Sequence, residues 1–478
     1  MEIELKNFGI VKNFKFDTED DFTIIFGKNN TGKSYAISVV YLIVKNLLLL
    51  EEAIIFRHVF PDLNSDKYIA TFNASLENRK SISIKREIEA IIRDILSEIL
   101  VTNISESFKS TFDSIGNLQN QLSREELLIT INSDLINFTL KIDKERLFIS
   151  ELSINREDIE LRRSQRKMSI KEQNSKIIIY TSDSQDFLSD TLENFILEST
   201  FSISYDVKER INSIYYLPAS RSGLYQALSA FGQIIAELSK SRKFTTKKVE
   251  LPSISEPLSD YFLELSTIKL RKKEIENRIT KIANQIEKSI LNGKIEFDKQ
   301  TKKIIFKPNG TDLKLDLSYT SSMVSEISPI VSYLRYVINY ADEVDRVPSF
   351  LRRKKFNNAK PLIIIEEPEA HLHPDIQIAL LKEFVELSKD DVKFIVTTHS
   401  NYIFNKFNNL VLSRDIDIEK ASSLLFKESL EGSMVIKLEL DEFGIEDENF
   451  IYTSENLYNE KMELIKQLNQ KSNECLKK

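Results

Sequence analysis

The 478-residue chain has one cysteine, Cys475, and no tryptophan. A single thiol excludes an intrachain disulfide framework and any metal site built on several cysteines. It fits a reducing compartment. Ten glycines and ten prolines are few for this length, which excludes collagen-like and glycine-linker architectures. Basic charge is not in excess: 66 Lys and Arg stand against 73 Asp and Glu, a net charge of −7. A chain-wide field that gathers nucleic acid is therefore absent, although a local basic face is not excluded. Long apolar runs are also missing. The most apolar stretch, Ala36–Leu50, is shorter than the ~20 residues of a membrane span, contains Lys45 and runs into Glu51 and Glu52. Met1–Gly9 lacks a basic segment followed by an apolar one, so it does not read as a secretory signal. The expectation is a buried helix at Ala36–Leu50, a cytoplasmic protein and no membrane partner.

What is present suffices for a large core. Hydrophobic residues are 41% and charged residues 29%, and the length allows about two to four lobes at roughly 100–200 residues each. Ile3–Leu5 and Phe22–Phe26 read as strands, the second leading through a loop into a helix from Lys33 towards His58. Ile88–Leu100 has helical spacing. Leu127–Ile131, Ile136–Ile142, Leu147–Ile154 and Lys176–Tyr180 read as strands of a β-rich insertion. Ser213–Leu217 is a strand, and residues 224–300 read as mostly helical. Ile275, Ile279, Ile282 and Ile286 keep 4-3-4 spacing, a short coiled-coil-like seam. Lys294–Phe297 and Lys303–Phe306 read as strands, and Ser328–Ala341 as a helix. Leu362–Ile365 and Lys393–Thr397 have no polar alternation, as expected for central parallel strands, and flank a helix at Asp375–Leu387. Asn449–Lys478 reads as a charged tail helix.

Three motifs carry chemistry. Gly27-Lys28-Asn29-Asn30-Thr31-Gly32-Lys33-Ser34 matches a phosphate loop in full, with a β-run before it and a helix after it. Backbone N–H groups and the helix N-terminus favour phosphate there. Lys33 is expected on the β and γ phosphates and Ser34 on Mg²⁺. The octet and the following Tyr35 form the candidate nucleotide-binding set. Leu362–Pro374, LIIIEEPEAHLHP, delivers two carboxylates to a strand tip, where open α/β sheets place ligands. Glu366 is expected to hold the metal or its water. Glu367 is expected to orient and deprotonate the attacking water. Lys393–Ser400, KFIVTTHS, ends in His399, expected to contact the γ-phosphate or the water. A zinc reading of His371, His373 and His399 is weak, because the His-x-His lies on a loop before Pro374 with no Cys near it.

The order of these motifs resembles the ATPase heads of the ABC superfamily, and more narrowly the heads of OLD, SMC and zinc-hook repair proteins. Two further stretches agree. Tyr216-Leu217-Pro218-Ala219-Ser220-Arg221 resembles the YLPA-x-R stretch of stand-alone OLD-like ATPases, often described as AAA-family. Asn292–Met323 resembles the strand pair and Ser-Ser-Gly signature of these heads, with Met323 in place of the Gly. The resemblance implies an α/β, ABC-type phosphate-loop head, with a mixed sheet, an antiparallel β subdomain and an inserted helical, short coiled-coil lobe. On that pattern residues 1–60 open the first lobe and 61–212 are its insertion. Residues 213–300 link the lobes through a helical hairpin, 301–448 form the second lobe, and 449–478 are a helical tail. It implies ATP and Mg²⁺, and a homodimer or larger homo-oligomer closed across nucleotide. Ser321 and Ser322 would face the partner's γ-phosphate, His371–Pro374 would form the interface loop, and Arg221 or Gln226 would be the lobe-linking sensor. Met323 would crowd the backbone approach that Gly allows.

Within that group, a zinc hook needs Cys-x-x-Cys and SMC arms need a long seam, and neither is present. Asp415-Ile416-Asp417 has no Glu-bearing partner strand before it and reads as a surface turn, so no nuclease is expected in cis. The proteins that remain, such as the Septu and PARIS ATPases of antiphage systems, control a separate effector, a nuclease or toxin. The alternatives are a DNA-binding repair clamp using Arg162–Lys167, Lys240–Lys248 or Arg352–Lys355, with binding that falls steeply with salt, and a nucleotide-dependent scaffold with little turnover.

Overall fold

The parallel strands of this protein are apolar on both faces because both faces are covered. In the computed structural model the described residues are 1–57, 72, 80–123, 125–163, 170–173, 175–181, 185–227, 254–268, 270, 276–339, 356, 358–445 and 448–475. Among them the central sheet has eleven strands. From edge to edge these are Ile211–Leu217, Lys360–Glu366, Lys393–Thr398, Phe22–Gly27, Ala421–Ser429, Gly432–Lys437, Val11–Asp17, Glu2–Phe8, Leu128–Asn132, Ile136–Asp143 and Arg146–Ile154. The first five run parallel. Beyond them the pairing is antiparallel, except between Gly432–Lys437 and Val11–Asp17.

Successive side chains on a strand point to opposite faces, and here each face meets its own core. Leu362, Ile364 and Ile395 join Val39, Val40 and Ile43 of the helix Lys33–Leu48. Ile363, Ile365, Phe394 and Val396 join Leu380, Leu381 and Phe384 of the helix Pro374–Ser388. The antiparallel half instead alternates buried with more exposed positions, as in Ile136–Asp143 and Arg146–Ile154, so one face is left towards water. The fold is a mixed α/β phosphate-loop head with helical elements packed around the sheet.

The parallel register positions the site. Leu217 pairs with Ile365, Glu366 with Thr397 and Thr398 with Phe26. The tips of four strands therefore meet at one edge.

Three details differ from the sequence reading. Leu128–Ile154, expected inside an insertion, continues the central sheet through pairing of Leu128–Asn132 with Glu2–Phe8. The isoleucine seam is core: Ile279, Ile282 and Ile286 are buried in the nine-residue helix Arg278–Ile286, which packs on Pro374–Ser388. Ile275 lies outside the described residues. The helix expected from Ser328 begins at Ser322, because the Ser321 side chain caps it by accepting from Val324 N–H. Its Pro329 lies in the interior, where proline removes a donor. Among the described residues no helix is long and apolar enough to cross a membrane.

Phe394 is 1% exposed and stacks on Phe384 with ring centroids 5.2 Å apart. Phe394→Ala is expected to cost about 3–5 kcal/mol, read as a lowered denaturant midpoint. A loss below about 1 kcal/mol would show that this face of the sheet is not tightly packed.

Candidate nucleotide site

The strand Phe22–Gly27 ends in a loop whose backbone only small residues permit at two points. Gly27 has φ +148° and Gly32 φ +89°. A Cβ on Gly27 would lie 2.8 Å from the Phe426 carbonyl oxygen, and one on Gly32 would lie 2.7 Å from Val11 Cγ2. Asn30 takes the left-handed conformation between them. The helix Lys33–Leu48 then starts without a side-chain cap, which leaves its first N–H groups for an anion. The Thr31 hydroxyl donates to the Lys28 carbonyl at 2.9 Å. The buried Lys33 ammonium donates to the carbonyls of Gly27 at 3.0 Å and Lys28 at 2.7 Å. Burial lowers its pKa to about 8, against the opposing pull of Glu367, Glu369 and Glu366.

A cavity of about 490 Å³ opens over this loop, within the range of small-molecule sites. Residues Asn29, Asn30, Thr31, Gly32, Lys33, Ser34 and Tyr35 line it, together with Glu367, Thr397 and His399. Gly9, Ile10, Asn117 and Gln119–Leu122, which the sequence reading did not assign, also line it. Tyr35 packs edgewise on Phe8 and against Phe112.

Glu366 lies just behind this lining. Hydroxyls of Ser34 and Tyr216 and the Ala219 N–H hydrogen-bond its carboxylate, while burial, the stronger influence, pushes its pKa up. Its Oε1 is buried with no hydrogen-bond partner. Glu367 is half-buried at the rim, and its Oε1 lies 3.0 Å from His399 Nε2. That hydrogen bond holds the Glu367 carboxyl below the usual carboxylate range despite desolvation, helped by the charges of His399, Lys33 and Arg221. Glu367 has φ +41° immediately before Pro368, a backbone state that a residue preceding proline rarely takes. Glu369, also absent from the sequence-derived set, accepts from the Thr398 hydroxyl at 2.7 Å and from His399 N–H at 2.6 Å.

Arg221 does not line the cavity. It is fully buried, and its guanidinium donates to the carbonyls of Pro218 at 3.1 Å, Glu366 at 2.8 Å and Glu326 at 3.3 Å. It also pairs with the buried Glu326 carboxylate at 3.4 Å. It thus stands outside the cavity lining of its own chain and ties the strand tip to Glu326 of the helix Ser322–Ser332 from behind. Gln226 is half-buried on the same segment. Ser321 and Ser322 are exposed at the start of their helix and are not part of this chain's own cavity lining. Met323 is half-buried against the core that contains Ile327, so its side chain is partly withdrawn from that exposed edge. His371 and His373 are exposed, and His373 Nδ1 accepts from Asp375 N–H at 3.4 Å.

The structure therefore gathers the phosphate loop, Ser34, Glu366, Glu367 and His399 at one edge and leaves Ser321 and Ser322 elsewhere. Tyr216 and Glu369 were missed. Their residues sit inside the recognised stretches, but their hydrogen-bond partners lie far away in sequence.

With this geometry in place, comparison with known proteins gives the class. The model of the AAA ATPase domain family matches residues 1–404, and the chain belongs to that family. That family is one of ATPase domains, and the match implies nucleotide binding by this chain. No curated protein matches it. Solved structures similar to it include an SMC head bound to the C-terminal winged-helix domain of ScpA, 13% identical over 92% of this chain and 97% of that one, TM-score 0.36. Another is the SMC head domain from Thermotoga maritima, 11% identical over 92% and 98%, TM-score 0.34. A third is the Smc head with an extended coiled coil bound to the C-terminal domain of ScpA from Pyrococcus furiosus, 12% identical over 92% and 96%, TM-score 0.36.

The lowered pKa of Lys33 gives a pH prediction. Below about 8 the free ammonium is charged and meets the triphosphate directly. Above it, binding must take up a proton, so affinity falls by up to about tenfold per pH unit. Titrating a fluorescent ATP analogue between pH 6.5 and 9.5 reads this. A flat profile to pH 9.5 would remove Lys33 as the depressed cation, and Lys33→Ala should abolish binding throughout.

Proposed function

We propose that this chain hydrolyses ATP with Mg²⁺ as a homodimer or larger homo-oligomer closed across nucleotide. We propose further that its ATP-bound state controls a separate effector, a nuclease or toxin, in prokaryotic antiphage defence. The observation that carries the catalytic part is the convergence of Lys33, Ser34, Glu366, Glu367 and His399 at one cavity. Ser34 and Glu366 suit a hard cation. They are oxygen donors already in contact, and one Glu366 oxygen is buried and unpartnered. Bound there, Mg²⁺ would neutralise phosphate charge.

The chain's own groups would do the rest. Loop N–H groups and Lys33 would hold the β and γ phosphates, the ammonium exchanging its carbonyl contacts for phosphate oxygens. Glu367, kept ionised by His399, would orient a water and accept its proton as the water attacks the γ-phosphorus and the bond to the β–γ bridging oxygen breaks, releasing ADP. His399 would report the γ-phosphate to the pair.

Two observations support the shared site. The exposed Ser321 and Ser322 begin an 11-residue helix, and the exposed residues His371 and His373 lie on the loop that follows Glu367. Both could meet a second copy's nucleotide or its surroundings. The effector reading is supported by the EEPEAHLHP and YLPASR stretches, which resemble the stand-alone defence ATPases. Of the basic runs that would favour a DNA clamp, Lys240–Lys248 and Arg352–Lys355 lie outside the described residues. Of Arg162–Lys167, residues 164–167 also lie outside them, and Arg162 is tied to Glu160 at 2.6 Å.

Glu367→Gln is expected to keep ATP binding, lower turnover by about 100-fold or more, and accumulate an ATP-bound dimer in mass photometry. Monomers at saturating ATP would overturn the shared site. Affinity purification at native expression is expected to return a nuclease or toxin. Recovery of the ATPase alone would overturn the effector reading.

A further inference from the structure

The carboxylate of Glu369 belongs to the loop after one strand but serves the tip of the next. Oε1 takes both the Thr398 hydroxyl and the His399 backbone N–H. Oε2 is shielded from solvent and has no hydrogen-bond partner. Thr398 is fully buried, so the bridge closes against the floor of the sheet. On that bridge sits His399, whose Nε2 faces Glu367 Oε1 at 3.0 Å. A second tie runs nearby. The Ser400 hydroxyl donates to Gln377 Oε1 at 2.5 Å, and Gln377 Nε2 donates to the Leu372 carbonyl at 2.9 Å. The exposed His371 lies between these two fastenings and has φ +59°.

We propose that Glu369 is the positioning residue that sets the Glu367–His399 pair and ties it to the exposed His371–His373 loop. The His399 imidazole can hold Glu367 only if its own backbone is fixed, and the polar side-chain oxygen fixing that backbone N–H belongs to Glu369. A buried N–H that loses its acceptor costs about 1–3 kcal/mol, so without Glu369 the segment must rearrange. Whatever displaces the loop also pulls on the carboxylate that holds His399. Glu369 thus acts through other residues, and the kinetic part of this inference rests on the hydrolase reading above.

The test compares Glu369→Ala, Glu369→Asp and Glu369→Gln in the full chain. Gln keeps an acceptor oxygen at the same reach and places its NH₂ where the carboxylate oxygen has no partner. Ala removes the acceptor and Asp shortens it. The expected result is a kcat for ATP about 10- to 100-fold lower in Ala and Asp, with KM changed less than about threefold and Gln within about threefold of wild type. In ¹⁵N-histidine-labelled protein, the His399 imidazole signal, assigned by its loss in His399→Ala, should shift in Ala and Asp and stay in place in Gln. Undiminished turnover in Ala, Gln as impaired as Ala, or an unmoved His399 signal would overturn the proposal. If Ala does not fold, Asp and Gln decide. If wild type hydrolyses no ATP, the hydrolase reading falls, and the imidazole signal still decides the role of Glu369.

Discussion

Parallel pairing among Ile211–Leu217, Lys360–Glu366, Lys393–Thr398 and Phe22–Gly27 brings four distant chain segments to a common edge. Every group that can act on a phosphate depends on that register. Each strand is apolar on both sides, so its side chains divide between two cores. A slip of one residue would exchange the two sets and send Glu366 into the wrong layer. The hydrophobic pattern therefore specifies the chemistry indirectly. Ile363 and Ile365 belong to the core beneath Pro374–Ser388, and Ile364 to the core beneath Lys33–Leu48. With those choices made, the residue after Ile365 has to emerge beside Ser34.

Charge at this edge is concentrated and poorly hydrated. Burial lowers the Lys33 pKa and raises those of Glu366 and Glu369. Glu367 alone of the three glutamates is pulled down, because His399 donates to it. The three acids therefore have different environments within one loop. One is buried with a free oxygen, one is ionised at the rim, and one is bound to the neighbouring strand. Arg221 lies behind all of them as a fully buried cation. A buried charge is tolerated where partners surround it, and here Pro218, Glu366 and Glu326 carbonyls and the Glu326 carboxylate do so. Tyr261 donates to the Arg221 carbonyl at 2.9 Å and stacks on Tyr333, which carries the brace into the second core.

The parts legible in the sequence are those in which local pattern and local geometry coincide. The glycine octet, the apolar run ending in Glu366-Glu367-Pro368 and the run ending in Thr398-His399 each announce a strand and its tip together. Illegible parts are those in which a side chain's target is set by register. Nothing near Glu369 in sequence indicates that it reaches Thr398 and His399, and nothing near Arg221 indicates that its partners are carbonyls rather than phosphate. The same reason hides the seam. Ile279, Ile282 and Ile286 have a spacing suited to a partner helix, and the partner turned out to be Pro374–Ser388 of the head itself. Leu128–Ile154 was legible as strands but not as a continuation of the main sheet, because antiparallel alternation does not state which edge it joins.

The backbone at Glu367 joins these threads. A non-glycine residue with φ +41° before a proline is held at a cost of about 1–3 kcal/mol. It persists because its surroundings over-determine it. Its N–H donates to the Thr397 carbonyl at 2.9 Å, and its own carbonyl accepts from Ala370 N–H at 3.0 Å. Arg221 grips the Glu366 carbonyl one residue earlier, and Glu369 grips the next strand two residues later. The bend turns the chain out of the sheet while leaving the carboxylate over the phosphate loop. A relaxed extended residue at this point would continue the strand and carry the Glu367 side chain away from His399. The strain is thus local, and it is maintained by contacts from both neighbouring strands and from the buried guanidinium.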